Sequence, residues 1–314
     1  MSKLFFRPRV QTALLYALLC WIWGSTWLVI KIGLNGVPPV TGAALRMAIS
    51  GALLLCLMSL IRMPFPRTPA LPTQIIIQGI GQFGLNYGLV YWAEQAVPSG
   101  LTAVLFAIAP IVTAVVASWI FHMELLNAVN VVGLVVGFCG VVIIYWSEVV
   151  KAAHAPALGV AAVLLASTIA STATVIAKRW GQSIPPLAMI APGQLFAGVL
   201  LGLLAFAMER SLRVHFDGTA VACIAYLAVF GSGVAFLGFF HLLRTADATR
   251  LSLITYITPV IAVILGSVAL HEQLARATLV GAAIIFAGIG LVHYKPAKTP
   301  RTVVAEGDSL TSVP

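Results

Sequence analysis

The chain has 314 residues, 61% of them hydrophobic and only 9% charged, with a net charge of +9 and a mean hydropathy of +1.04. Soluble domains carry about 25% charged residues, and disorder requires low hydrophobicity with high charge, so both classes are excluded. The length accommodates ten spans of about 20 residues, and the expected fold is an all-α membrane protein. The cations sit in short gaps between apolar runs, as orientation signals do, rather than on one basic face. A lipid bilayer is therefore the expected partner, and no nucleic acid is.

Apolar runs bounded by charge, Pro or polar clusters place ten transmembrane helices at 12–34, 41–61, 73–94, 99–121, 128–146, 157–180, 186–208, 219–243, 249–269 and 276–294. Lys3, Arg7 and Arg9 precede the first run. That run is longer than a signal-peptide core, carries Trp21, Trp23 and Trp27, and lacks a small-x-small cleavage site, so it reads as an uncleaved span. The longest connections lie near 62–72 and 209–218, and the polar tail 296–314 is expected to be loose. With the N-terminus inside, twelve Lys and Arg face inward and five outward, Arg46 being set aside because it lies within a span. That asymmetry predicts a multi-pass protein of the cell (inner) membrane with both termini cytoplasmic.

The two halves repeat each other. Lys31 precedes Pro38-Pro39 by seven residues, and Lys178 precedes Pro185-Pro186 by the same seven, a shift of 147. Gly84 and Pro110 align with Gly233 and Pro259 at a shift of 149, while Glu124, Gly133 and Gly140 align with Glu272, Gly281 and Gly288 at 148. The predicted units are residues 1–150 and 151–295, each of five helices. An odd number makes the second unit enter the membrane from the opposite face. Two inverted five-helix repeats are the architecture of secondary transporters, whose substrate sites lie near the midplane.

Trp23-Gly24-Ser25-Thr26-Trp27 followed by Lys31, Pro39 and Arg46 resembles the opening of an EamA domain of the drug/metabolite transporter superfamily. Asn86-Tyr87 through Ala96, Pro110, and Glu124 followed by Gly133 and Gly140 continue the likeness, and Lys178, Pro186, Pro259, Glu272, Gly281 and Gly288 repeat it. The second half departs at its opening, where Ala170-Ser171 replaces the Trp-Gly pair. The resemblance implies ten helices and export of a small organic metabolite, several members being amino-acid exporters. Competing readings are a membrane-embedded lipid-modifying enzyme and a channel or scaffold. The first needs buried acid, base or metal groups on facing helices, which the sequence lacks.

Candidate site residues follow from depth and spacing. Pro110 and Pro259 lie near the centres of their spans, where Pro removes a backbone hydrogen bond, and are read as hinges or static kinks. Gln82 and Asn86 share a helix face inside an apolar run, to hold substrate or to join helices. Tyr87 and Tyr91 follow on the same span, while Trp27, Phe106 and Tyr256 suit an apolar cavity wall. Ser167, Ser171, Thr174 and Lys178 form one polar stripe, either cavity wall or helix seam, with Ser171 the candidate substrate contact. Lys31 and Lys178 are expected to snorkel to headgroups or to gate by ion pairing. Gly84/Gly88, Gly133/Gly137 and Gly198/Gly202 have GxxxG spacing, for packing within the chain or for a homodimer. Cys20, Cys56, Cys139 and Cys223 read as packing residues. His271-Glu272 lacks the second His of a zinc motif, and no cofactor, metal or catalytic residue is expected. Every carboxylate falls at a span end, in a loop or in the tail. Reporter fusions at residues 67 and 213 are expected on opposite faces of the membrane; the same face for both would overturn this topology.

Overall fold

A computed structural model describes residues 8–151, 155–209, 212, 215–270 and 276–294. Lys3, Arg7, Arg210, Arg213, Glu272, Lys295 and the tail 296–314 lie outside the described residues. The helices are α1 (Pro8–Gly33) and α2 (Pro39–Leu60), then α3 in three consecutive pieces (Ala70–Ile77, Gln78–Leu85, Asn86–Ala93) and α4 in three more (Ser99–Phe106, Ala109–Val115, Val116–Ile120). There follow α5 (Ala128–Ile144), α6 (Ala157–Trp180), α7 (Pro186–Glu209) and α8 (Gly218–Tyr226, Leu227–Val234, Ala235–Leu243). The last two are α9 (Ala248–Ser252, Ile254–Leu270) and α10 (Arg276–His293), and a short helix, Trp146–Lys151, precedes α6. Among the described residues, eight helical stretches are long and apolar enough to cross a membrane; α5, at 17 residues, is shorter.

The helix ends carry local signals. Proline opens α2 and α7, where its missing N–H costs no hydrogen bond. Asn127 and Asn130 form a reciprocal capping box at α5, and the Asp217 side chain accepts from Ala220 N at 2.7 Å to start α8. Two carboxylates cap helices distant in sequence. Glu209, at the end of α7, accepts from Val40 N, Thr41 N and Thr41 Oγ1 at 2.8–2.9 Å. Glu124 accepts from Ala248 N at 2.6 Å and Thr249 N at 3.3 Å. Each places negative charge against the positive end of a helix dipole.

The helix contacts exchange with the repeat. α1 packs on α8 and α9, and its counterpart α6 packs on α3 and α4; α2 packs on α8, and α7 on α3. The two self-paired crossings, α2 with α7 and α5 with α10, are the most extensive. Small residues set both. Gly51 lies on the backbone of Leu195 and Gly198 on that of Ala48, each residue 147 from its equivalent. On the other crossing, a Cβ at Gly133 would fall 2.7 Å from Gly288 O, and one at Gly140 would fall 2.7 Å from Gly281 O. Gly133, Gly137 and Gly198 are thus occupied by contacts within the chain. The remaining GxxxG glycines do not make such crossings: Gly84 faces its own helix, Gly88 a leucine side chain, and Gly202 open space.

Both repeats also interrupt the same helices. The π-helical turns Gln78–Leu85 and Leu227–Val234 are related by a shift of 149 at both ends. The fourth helix of each repeat breaks before its proline, α4 after Phe106 and α9 at Leu253. Gly288→Val places side-chain atoms where Gly137 N would stand 2.5 Å from the new Cβ. It is expected to cost about 1–3 kcal/mol or more by over-packing, read as a lower unfolding temperature in detergent. Gly202→Val, with nothing within 4 Å, is expected to leave that temperature unchanged; equal melting of the two variants would deny the crossing its role.

Candidate functional site

A central cavity, with about 940 Å³ of empty space counting its mouth, opens between α1, α3 and α4 of the first repeat and α6, α8 and α9 of the second, with Arg46 reaching in from α2. Part of the lining consists of repeat-related pairs: Trp23 with Ala170 and Trp27 with Thr174 at a shift of 147, then Tyr87 with Phe236, Val90 with Phe239, Phe106 with Thr255 and Ala109 with Thr258 at 149. The chemistry of the pairs is unequal. The first repeat contributes indole, phenol and guanidinium groups, whereas the second contributes hydroxyls and the Phe236 and Phe239 rings. Trp23 lies 5.4 Å from Phe236 and 5.3 Å from Phe239, centroid to centroid, and Trp27 lies 6.5 Å from Phe106. These separations fall in the range of edge and offset aromatic contacts.

Of the residues singled out from the sequence, Trp27, Gln82, Asn86, Tyr87, Tyr91, Phe106 and Ser171 all border this cavity. Tyr256 does not. Its ring packs against Gly137 and its hydroxyl donates to Leu134 O at 2.9 Å, in the apolar cluster shared by α5, α9 and α10. Depth alone does not distinguish a cavity wall from a core aromatic, and the absent Cβ of Gly137 is what draws Tyr256 away.

The polar stripe of α6 divides its tasks. Pro110 leaves the Phe106 carbonyl without its helical donor, and Ser167 Oγ supplies one at 3.0 Å. Ser171 Oγ donates to Ala109 O at 3.2 Å while also bordering the cavity. Thr174 lines the cavity. Lys178 Nζ donates to Leu243 O at 2.7 Å and Arg244 O at 3.3 Å, capping the carbonyl end of α8. The stripe is therefore seam and wall at once. Pro259 leaves the Thr255 carbonyl free in the same way, and Thr258 Oγ1 donates to it at 3.3 Å.

Arg46 is the residue that spacing arguments passed over. It is 1% exposed. Its Nε donates to Ser232 Oγ at 2.7 Å and its Nη2 to Gly231 O at 3.0 Å, both within the π-helical turn of α8. Trp23 Nε1 donates to the same Gly231 carbonyl at 3.2 Å. The guanidinium stands 4.7 Å over the Tyr87 ring, with the Tyr87 and Tyr91 hydroxyls at 3.4 and 3.5 Å. Among the described residues no carboxylate forms an ion pair with it, although the charge of Glu94 bears on it from the end of α3. A lone cation inside an apolar run was the available signal, because intramembrane charge marks function by default. A second signal lay on α3. Gln74, Gln78, Gln82 and Asn86 recur every four residues, all four are buried, and each amide oxygen lacks a hydrogen-bond partner.

A family model described as "EamA-like transporter family" matches residues 11–146 and again residues 157–294. The uncharacterized transporter YvbV of Bacillus subtilis (strain 168) is 28% identical over 288 residues, spanning 92% of this chain and 93% of that protein. The uncharacterized inner membrane transporter YedA of Escherichia coli (strain K12) is 29% identical over 277 residues, spanning 86% and 87%. A solved structure, described only as "Crystal structure of protein", superposes with a TM-score of 0.76 at 21% identity over 90% of this chain and 96% of that one. That likeness concerns the fold alone.

Proposed function

Because the chain belongs to the EamA-like transporter family of the drug/metabolite transporter superfamily, we propose that this membrane transporter exports a small organic metabolite such as an amino acid across the cell (inner) membrane by alternating access. The observation carrying this reading is the set of repeat-related pairs around the cavity. A site on the axis between two units that can exchange conformations is reached alternately from either side. In this reading ten spans form two inverted units, residues 1–150 and 151–295, with both termini and the tail 296–314 cytoplasmic. Trp27, Gln82, Asn86, Tyr87, Tyr91, Phe106 and Ser171 contact the substrate, and Pro110 and Pro259 act as hinges in their helices. The hydroxyls bonded to the carbonyls that these prolines release support such hinges, since they lower the cost of a broken helix in the membrane.

Purified protein in vesicles, offered a panel of amino acids, sugars and nucleosides, is expected to give saturable flux for one class. Flux rising linearly with concentration would favour a channel, and lipid turnover without flux would favour an enzyme. Asn86→Leu is expected to reduce apparent affinity about tenfold, the cost of a buried hydrogen bond, with membrane expression intact; unchanged kinetics would assign Asn86 to packing.

Energy coupling follows from the placement of acids. Among the described residues Glu94, Glu124, Glu148, Glu209, Asp217 and Asp247 stand near helix ends or between helices, and His241 and His293 stand in the last turns of α8 and α10, whereas proton-driven carriers commonly use intramembrane carboxylate or histidine relays. Facilitated diffusion or substrate exchange is the expected mode. Vesicles held at constant membrane potential, with and without a pH gradient, should show equal final accumulation. Uphill accumulation that follows the gradient and vanishes on its collapse would refute this.

A further inference from the structure

Resting on the transporter reading, we propose that Arg46, flanked by the Tyr87 and Tyr91 hydroxyls, anchors the carboxylate of a substrate whose flat apolar body lies among the cavity's aromatic rings. The argument begins with what Arg46 does not do for the fold. Under the 147-residue shift its equivalent is Gly193, and under the 149-residue shift its partner Ser232 is equivalent to Phe83. Gly193 and Phe83 do meet: a Cβ on Gly193 would lie 3.5 Å from the Phe83 ring. The same crossing is therefore made twice, once by a glycine on a phenylalanine and once by an arginine on a serine. The apolar version closes without any charge, so the scaffold does not require a guanidinium at this place.

The remaining bonds of Arg46 leave it without a carboxylate partner at bonding distance: the charge of Glu94 bears on it through space, but the two make no ion pair. Its two close acceptors, Ser232 Oγ and Gly231 O, are neutral, and both tyrosine hydroxyls stand at the outer limit of hydrogen bonding. Nη1 has only the 3.5 Å contact to Tyr91 for its two N–H groups. Burying a cation without an anion is costly, and the cavity is where an anion can reach it, since Arg46, Tyr87 and Tyr91 all border that space. A planar carboxylate matches the fork of a guanidinium and strengthens its hydrogen bonds by charge. The rings of Trp23, Trp27 and Phe106 then face the rest of the molecule. Gln82 and Asn86, whose amide oxygens lack donors, offer acceptors to an ammonium group if the substrate carries one.

Direct binding to the purified full-length protein tests this with four probes of one shape: phenylalanine, phenylalaninamide, 3-phenylpropanoate and phenethylamine. Phenylalanine is expected to bind at least about tenfold more tightly than its amide, the worth of a charge-assisted hydrogen bond, and 3-phenylpropanoate similarly more tightly than phenethylamine. Equal binding of phenylalanine and 3-phenylpropanoate assigns the site to monocarboxylates; tighter binding of phenylalanine assigns it to zwitterions, and both support the anchor. In Arg46→Gln the preference for acid over amide should shrink to within about twofold, a readout that a purely structural arginine would not move. The comparison in unaltered protein needs no variant, so a poorly folding Arg46→Gln leaves the test intact. Acid and amide bound alike by the unaltered protein would overturn the anchor while leaving transport standing. No binding or flux of any probe, alongside saturable flux of an uncharged solute, would overturn the anchor alone; no saturable flux of any solute would overturn both.

Discussion

Backbone laid directly on backbone is the constraint from which the rest of this structure follows. In a bilayer there is no gain from hiding apolar surface between helices, so close approach of small residues must supply the attraction. Here Gly51 and Gly198 bring α2 against α7, and Gly133, Gly140, Gly281 and Gly288 bring α5 against α10. Each crossing joins one repeat to the other. With those four helices locked in pairs, α1, α3 and α4 face α6, α8 and α9 across the remaining space, and their inner faces become the cavity.

Of the helices around that space, α3, α4, α8 and α9 are interrupted, while α1 and α6 run unbroken. Breaks and π turns release backbone carbonyls, and inside a membrane each must find a donor or cost several kcal/mol. The chain supplies donors from across the interface: Ser167 to Phe106, Ser171 to Ala109, and Trp23 with Arg46 to Gly231. Polar side chains thus do two jobs. They satisfy broken backbone, and they lend polarity to a wall otherwise built from rings and methyl groups. Ser50 and Gln194 add a buried link between α2 and α7, at 2.6 Å, and Gln194 Nε2 continues it to Ser232 O at 3.3 Å, tying the crossing to the π turn that holds Arg46.

Duplication gives the two walls one backbone geometry, and divergence gives them different chemistry. Trp27 faces what its equivalent Thr174 faces, and Tyr87 what Phe236 faces. A cavity with identical walls would bind a substrate in two equivalent orientations. The guanidinium stands on one side alone, so the two walls are not equivalent.

Membrane character, the run of helices and the duplication were legible in the amino-acid order alone. They depend on local hydropathy and on punctuation by Pro, Gly and charge, which act within a few residues. Seven of the eight side chains chosen as site candidates border the cavity because buried polar and aromatic groups at helical spacing share a face. Tyr256 was misjudged for want of its partner: only the fold reveals that Gly137, 119 positions earlier, offers its ring a bed. Arg46 was visible as a lone cation, yet its partners Gly231 and Ser232 lie 185 and 186 residues away. Likewise nothing in the order of residues says that Lys178 closes the end of α8, or that Glu209 opens α2. Local patterns determine which residues must leave the lipid; only the tertiary structure decides what they meet, because a hydrogen bond or a ring contact is settled by a few ångströms of helix crossing that no single segment contains.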